Sequence, residues 1–144
     1  MRAVLGIGMI LLALVLAITP SFTDCESQGK MLKTADGRAV SMKCHWTGRA
    51  EVATAIPLGL AGVYALGGRR KETMRFAATV GGASGLVAIL LPTLLIGTCA
   101  SASMTCNLLM RPIVIAAGIL AIVASIALFV TARESELPAG GGSV

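Results

Sequence analysis

Four long apolar blocks govern what this chain can become. They read "AVLGIGMILLALVLAIT" at 3–19, "VATAIPLGLAGVYALG" at 52–67, "FAATVGGASGLVAILLPTLLIG" at 76–97 and "PIVIAAGILAIVASIALFVTA" at 112–132. A helix that crosses a bilayer needs about 20 mostly apolar residues, within a range of roughly 17–25. In lipid, each backbone N–H and C=O must be satisfied inside its own segment, so the blocks are expected to be helices. Charge agrees with this. Only 13% of the 144 residues are charged, where a soluble domain carries about a quarter. The expected fold is an all-α membrane protein, a four-transmembrane-helix bundle occupying 1–136, with a flexible tail at 137–144. The first block is read as a retained helix. A cleaved signal peptide is the alternative, although "ITPSFTDC" offers no clean small-residue cleavage site.

Four spans put both termini on one side. Lys and Arg divide six against six between the two sides: 2, 69, 70, 71, 75 and 133 against 30, 33, 38, 43, 49 and 111. Density breaks the tie, because "GGRRKETMR", residues 67–75, packs four cations into the short loop 68–75. Short loops weigh most in orienting a membrane protein. Both termini and this loop are therefore expected in the cytoplasm, with outer loops at 20–51 and 98–111.

All four cysteines then fall on the outer side, Cys25 and Cys44 in the first loop, Cys99 and Cys106 in the second. Four cysteines on an oxidising side read as two disulfides, with three possible connectivities. Cys25–Cys44 and Cys99–Cys106 are favoured, because each pair closes a short loop. Asp36-Gly37 between two extendable runs signals a β-hairpin. The two-residue turn predicts Thr34 opposite Ala39, Leu32 opposite Ser41 and Met31 opposite Met42. A Cys25–Cys44 bond would staple the base of that hairpin into a small extracytoplasmic cap.

Within the bilayer, close contact of small residues holds helices together. Gly59 and Gly62 on the second span, and Gly81 and Gly85 on the third, are the expected packing positions. Trp46 is expected at the headgroup layer, where tryptophan prefers to sit. Glu51 is expected at the membrane boundary, at the start of the second helix. No ionisable residue then lies deep in a span, which argues against a stand-alone ion-coupled transporter.

"MKCHWTGRAEV", at 42–52, gathers the residues with chemical potential: Met42, Cys44, His45, Trp46, Arg49 and Glu51. The outer face admits thiol–disulfide exchange. Its layout resembles the quinone-linked disulfide-forming membrane proteins of the vitamin K epoxide reductase type. Those carry Cys-x-x-Cys, whereas the spacings here are eighteen and six residues, and close spacing is what poises a thiolate for attack. Copper or another soft metal is a second reading, with Met104, Cys106 and Met110 joining Met42, Cys44 and His45 as ligand types. Disulfide-bonded cysteines would not serve as thiolates, so no resident metal, no other cofactor and no catalytic residue is expected. His45 reads as an interfacial or capping residue. The basic loop residues Lys30, Lys33, Arg38, Lys43 and Arg49 read as a solvated rim.

"MLKTADGRAVSMKCHWTGRAEVA", with an upstream cysteine and four spans, resembles a family of small bacterial membrane proteins, domain of unknown function 4418. The resemblance covers most of the chain and is most specific in the Met-Lys-Cys-His-Trp-Thr box. Members often accompany export-type ABC transporter genes, so the resemblance implies a non-enzymatic accessory subunit in the bacterial plasma membrane. Its partners would be the lipid bilayer and an ABC permease or a second copy, with no nucleic acid.

Overall fold

In a computed structural model, residues 2–26, 28–68, 70–99, 101 and 103–134 are described, the side chains of 133 and 134 excepted. The expected tail at 137–144 and the cation at position 69 lie outside the described residues.

The element order is α1 (Arg2–Thr23), a hairpin of β1 (Leu32–Lys33) and β2 (Ala39–Val40), α2 (Lys43–Gly67), α3 (Lys71–Leu90) and α4 (Arg111–Glu134). A π-helical turn, Leu91–Leu95, extends α3, and a second, Cys106–Met110, leads into α4. The four helical stretches are each long and apolar enough to cross a bilayer.

Successive helices pack side by side, α1 on α2, α2 on α3 and α3 on α4, with α4 closing on α1. The interior is lined by small or slender residues: Ala13, Ala61, Ala65, Ala77, Ala117 and Ala121, with Met9, Leu16, Leu58, Val114 and Leu128 among them. Large apolar side chains point outward instead. Ile56 is 63% exposed and Ile126 59%. An exterior of that kind suits lipid, where helix association depends on close packing of small residues. The protein is a multi-pass, four-helix membrane protein.

Two backbone approaches set the helix pairs. A Cβ on Gly62 of α2 would stand 2.8 Å from the Gly6 carbonyl of α1, and one on Gly85 of α3 would stand 2.8 Å from the Gly118 carbonyl of α4. Gly62 and Gly85 thus leave no room for a side chain without a shift of backbone. At Gly81 the nearest atom is the flexible end of Met9, and at Gly59 a Cβ would make an ordinary 3.5 Å contact with Ala13.

The hairpin is present with a register one residue away from the expected one: Leu32 pairs with Val40 and Lys33 with Ala39. Gly37 donates to the Thr34 carbonyl and has φ 74°, while Thr34 N–H bonds the Arg38 carbonyl. This is a tight turn followed by a left-handed glycine. The loop is longer than the two-residue turn read from Asp36-Gly37, and the extra residue moves every pair by one.

The larger difference is the start of α2. It begins at Lys43, nine residues before the expected 52. The Cys-His-Trp-Thr run is helix, so its side chains recur on faces three and four residues apart.

Candidate functional site: a four-cysteine cluster

The connections α1–α2 and α3–α4 meet at one end of the bundle. Cys25 lies just beyond α1, Cys44 in the first turn of α2, Cys99 in the α3–α4 connection and Cys106 at the head of the π-turn before α4. All four Sγ atoms lie within 4.8 Å of one another. Cys44 Sγ is 2.6 Å from Cys25 Sγ and 3.2 Å from Cys99 Sγ. Cys25 Sγ is 3.5 Å from Cys99 Sγ and 3.9 Å from Cys106 Sγ. Cys25, Cys44 and Cys106 are buried and Cys99 is half-buried.

The sequence reading placed two cysteine pairs in two loops. Here the loops converge and their sulfurs form one group, in which all four thiols are free. The expected partners Cys25 and Cys44 are in contact without a bond between them. The two halves of the group come from segments more than fifty residues apart, which is why loop-by-loop reading kept them separate.

Local hydrogen bonds hold each sulfur in place. Lys30 N–H bonds the Cys25 carbonyl at 2.8 Å and closes a turn around that residue. The Thr47 hydroxyl, one turn below Cys44, donates to the Gly97 carbonyl at 2.7 Å and ties α2 to the approach to Cys99. Asn107 Nδ2 donates to the carbonyls of Cys99 and Ser101 at 2.6 and 2.8 Å, and Thr98 donates to its Oδ1. One asparagine thereby folds the loop between Cys99 and Cys106. Thr47, Thr98 and Asn107 were not singled out from the sequence. The available signal was Asn107 beside Cys106, since asparagine in a short loop commonly bonds nearby backbone.

His45 lies on the rim. Its Nδ1 is 2.9 Å from Glu26 Oε2 and 3.2 Å from Asp24 Oδ2, and its ring meets the exposed Trp46 edge-on with centroids 5.8 Å apart. The acids flanking Cys25 thus hold the histidine next to Cys44, away from the group of sulfurs. Met42 and Met104 pack against the buried core that contains the cysteines, and Met110 is part of that core. Arg49 faces outward.

Glu51 is the residue whose expected place is overturned. With α2 starting at Lys43, Glu51 lies eight residues into the helix, about 12 Å along its axis at 1.5 Å per residue. It is fully buried, on the face of α2 that carries Cys44, Thr47 and Gly48. Glu51 is thus an ionisable residue enclosed within the helical bundle.

Burial pushes the Cys25 thiol well above its ordinary pKa, and its hydrogen bonds with Cys44 and Cys99 and the proximity of Cys44 and Cys106 push the same way. The resting thiol is protonated and a poor nucleophile.

A four-spanning bundle with a buried tetrad of thiols at one end defines the class: a small polythiol membrane protein. The chain belongs to the family described as domain of unknown function (DUF4418), whose model matches residues 3–131. No curated protein and no solved structure matches the chain.

Proposed function

We propose that the protein binds one soft d10 metal ion, Zn2+ or Cu+, through Cys25, Cys44, Cys99 and Cys106 at the outer end of the bundle, without catalysing a reaction there. The convergence of the four sulfurs within 4.8 Å carries this reading. Tetrahedral coordination with metal–sulfur bonds of about 2.3 Å sets sulfur–sulfur edges near 3.8 Å. The separations of 3.2, 3.5 and 3.9 Å approach that figure, and the 2.6 Å contact opens as a metal enters. Four-sulfur sites of this type take zinc or iron–sulfur centres, and thiolates also select Cu+. Four protein donors leave no open position, the mark of a structural or storage site. Disulfides confined to each loop would consume the thiolates and exclude a metal. That objection weakens once all four sulfurs share one place.

Thiol exchange is less well supported by the same geometry. Attack on a disulfide requires the incoming sulfur in line with the bond it breaks. Cys25, Cys44 and Cys99 form a compact triangle with sides of 2.6, 3.2 and 3.5 Å, so none lies in line with the other two. The close approach of Cys44 to Cys25 favours one second reading, a structural Cys25–Cys44 disulfide.

The deciding experiment is native mass spectrometry of the full chain, purified in detergent without air, before and after chelation, followed by alkylation. The expected result is one metal per chain, lost on chelation, with four alkylatable thiols uncovered. A metal-free chain short of two or four hydrogens, with correspondingly fewer alkylated sites, sinks the metal reading in favour of disulfides. Placement in the bacterial plasma membrane, with the cluster outside and both termini in the cytoplasm, belongs to the same proposal and rests on the dense cationic loop. A subunit role beside an exporter permease rests on family resemblance alone.

A further inference from the structure

We propose that Glu51 is a proton-binding site inside the bundle, holding its proton at neutral pH and giving it up as pH rises. The proposal does not depend on the metal reading, since it concerns a different residue two helical turns deeper.

Glu51 is 0% exposed, and neither carboxyl oxygen has a hydrogen-bond partner among the described residues. An isolated carboxylate buried in apolar surroundings costs so much that such a group gives up its charge instead. Nothing nearby compensates it. α1 carries no ionisable residue between Arg2 and Asp24, at its two ends. α3 and its π-turn carry none after Arg75 until Cys99. α4 carries none after Arg111 until position 133, and the turn before it offers only Cys106. On α2 itself Lys43, Cys44, His45 and Arg49 lie nearer the cysteine end, and Tyr64 toward the opposite end.

The ligand class follows from that emptiness. A metal ion needs several donors, and among the described residues no other carboxyl, imidazole or thiol lies in α1, in α2 after His45, in α3 after Glu72 or in α4 before Glu134. The proton is the one cation that a lone buried carboxyl holds. The next polar side chain toward the cysteine end on this face of α2 is already engaged elsewhere. Thr47, buried one turn above Glu51, bonds the Gly97 carbonyl at the edge of the cysteine loop. An ionisable group within a span is by default a functional one. When Glu51 releases its proton, the carboxyl becomes a carboxylate and the proton goes to water.

The test is infrared spectroscopy of the full chain in lipid nanodiscs, stripped of metal with chelator, over about pH 5–10. Wild type is expected to show a protonated carboxylic acid carbonyl band at neutral pH that shifts in D2O and fades reversibly as pH rises. Glu51→Gln is expected to lose the band completely. Absence of the band at neutral pH, or a band that neither shifts in D2O nor responds to pH, overturns the proposal, because the group is then ionised or sealed. Should Glu51→Gln fail to fold, dicyclohexylcarbodiimide on wild type gives an independent readout. It adds to a protonated, reachable carboxyl as an N-acylurea with no leaving group. Adduct at Glu51 that declines with rising pH supports the site, and its absence at every pH overturns it. Failure of metal binding would leave both readouts unchanged.

Discussion

At the scale of single residues, the cluster turns on protonation. A thiol coordinates a metal only as thiolate, so binding expels protons. Burial and its neighbours raise the Cys25 thiol far above the usual cysteine range, so Cys25 holds its proton at neutral pH when no metal is bound. The sign follows. Protons compete with metal, and affinity rises with pH, by about tenfold per pH unit for each thiol that gives up a proton. Chelator competition with Zn2+ at several pH values checks this, and a flat profile between slightly acid and slightly alkaline pH speaks against thiolate ligation. Cys44 touches two other sulfurs. Even loss of an outer-shell partner costs metal sites about 10–100-fold in affinity. Cys44→Ser is therefore expected to weaken Zn2+ binding by more than about 100-fold in the same assay. His45→Ala removes only a rim residue, held by Asp24 and Glu26, and is expected to leave the affinity within about that outer-shell range.

At the scale of elements, glycine contacts decide how closely the helices approach. Gly85 and Gly118 bring the backbones of α3 and α4 together, as Gly62 and Gly6 do for α1 and α2. A side chain at Gly85 meets backbone, which cannot rotate away. Gly85→Val is expected to destabilise by about 1–3 kcal/mol, the usual cost of overpacking. Gly59→Ala, which makes an ordinary contact with Ala13, is expected to leave stability nearly unchanged. Thermal unfolding of both variants in detergent measures the difference, and equal midpoints would show that the Gly85 approach does not limit packing. The same elements show what a sequence can reveal. Spans carry their signal in composition, so four helices were legible. The start of α2 was not, because Lys43, His45, Arg49 and Glu51 lower the hydropathy of its first turns while leaving its helix-forming ability intact. Glu51 was misplaced for that reason alone. The cysteine cluster was legible in its members but hidden in its assembly, since bringing Cys25 and Cys44 to Cys99 and Cys106 depends on how two separate connections fold toward each other.

At the scale of the whole molecule, the polar and chemical features gather at one end. The cysteines, the His45–Glu26–Asp24 contacts, the hairpin and the Thr47–Gly97 bond lie there, and the flanks of the bundle expose large apolar side chains. Which side of the membrane this end faces governs the chemistry of its thiols. An oxidising compartment drives cysteines toward disulfides, while a reducing one keeps them free. Cation counts on the two sides are equal, so orientation rests on the density of the loop at 68–75. The outward orientation predicts that a green fluorescent protein fused at the C-terminus fluoresces, while an alkaline phosphatase fused at the same point stays inactive. Removing the loop's cations tests the cause directly. Changing Arg70, Lys71 and Arg75 to glutamine leaves the cysteine end unaltered but tips the count of cations toward that side, so phosphatase activity is expected to appear in a fraction of the molecules. If the wild-type C-terminal phosphatase fusion is active instead, the cysteines face the cytoplasm. Reduced thiols would then be the normal state there, and a metal-loaded cluster would be the stronger reading against disulfides.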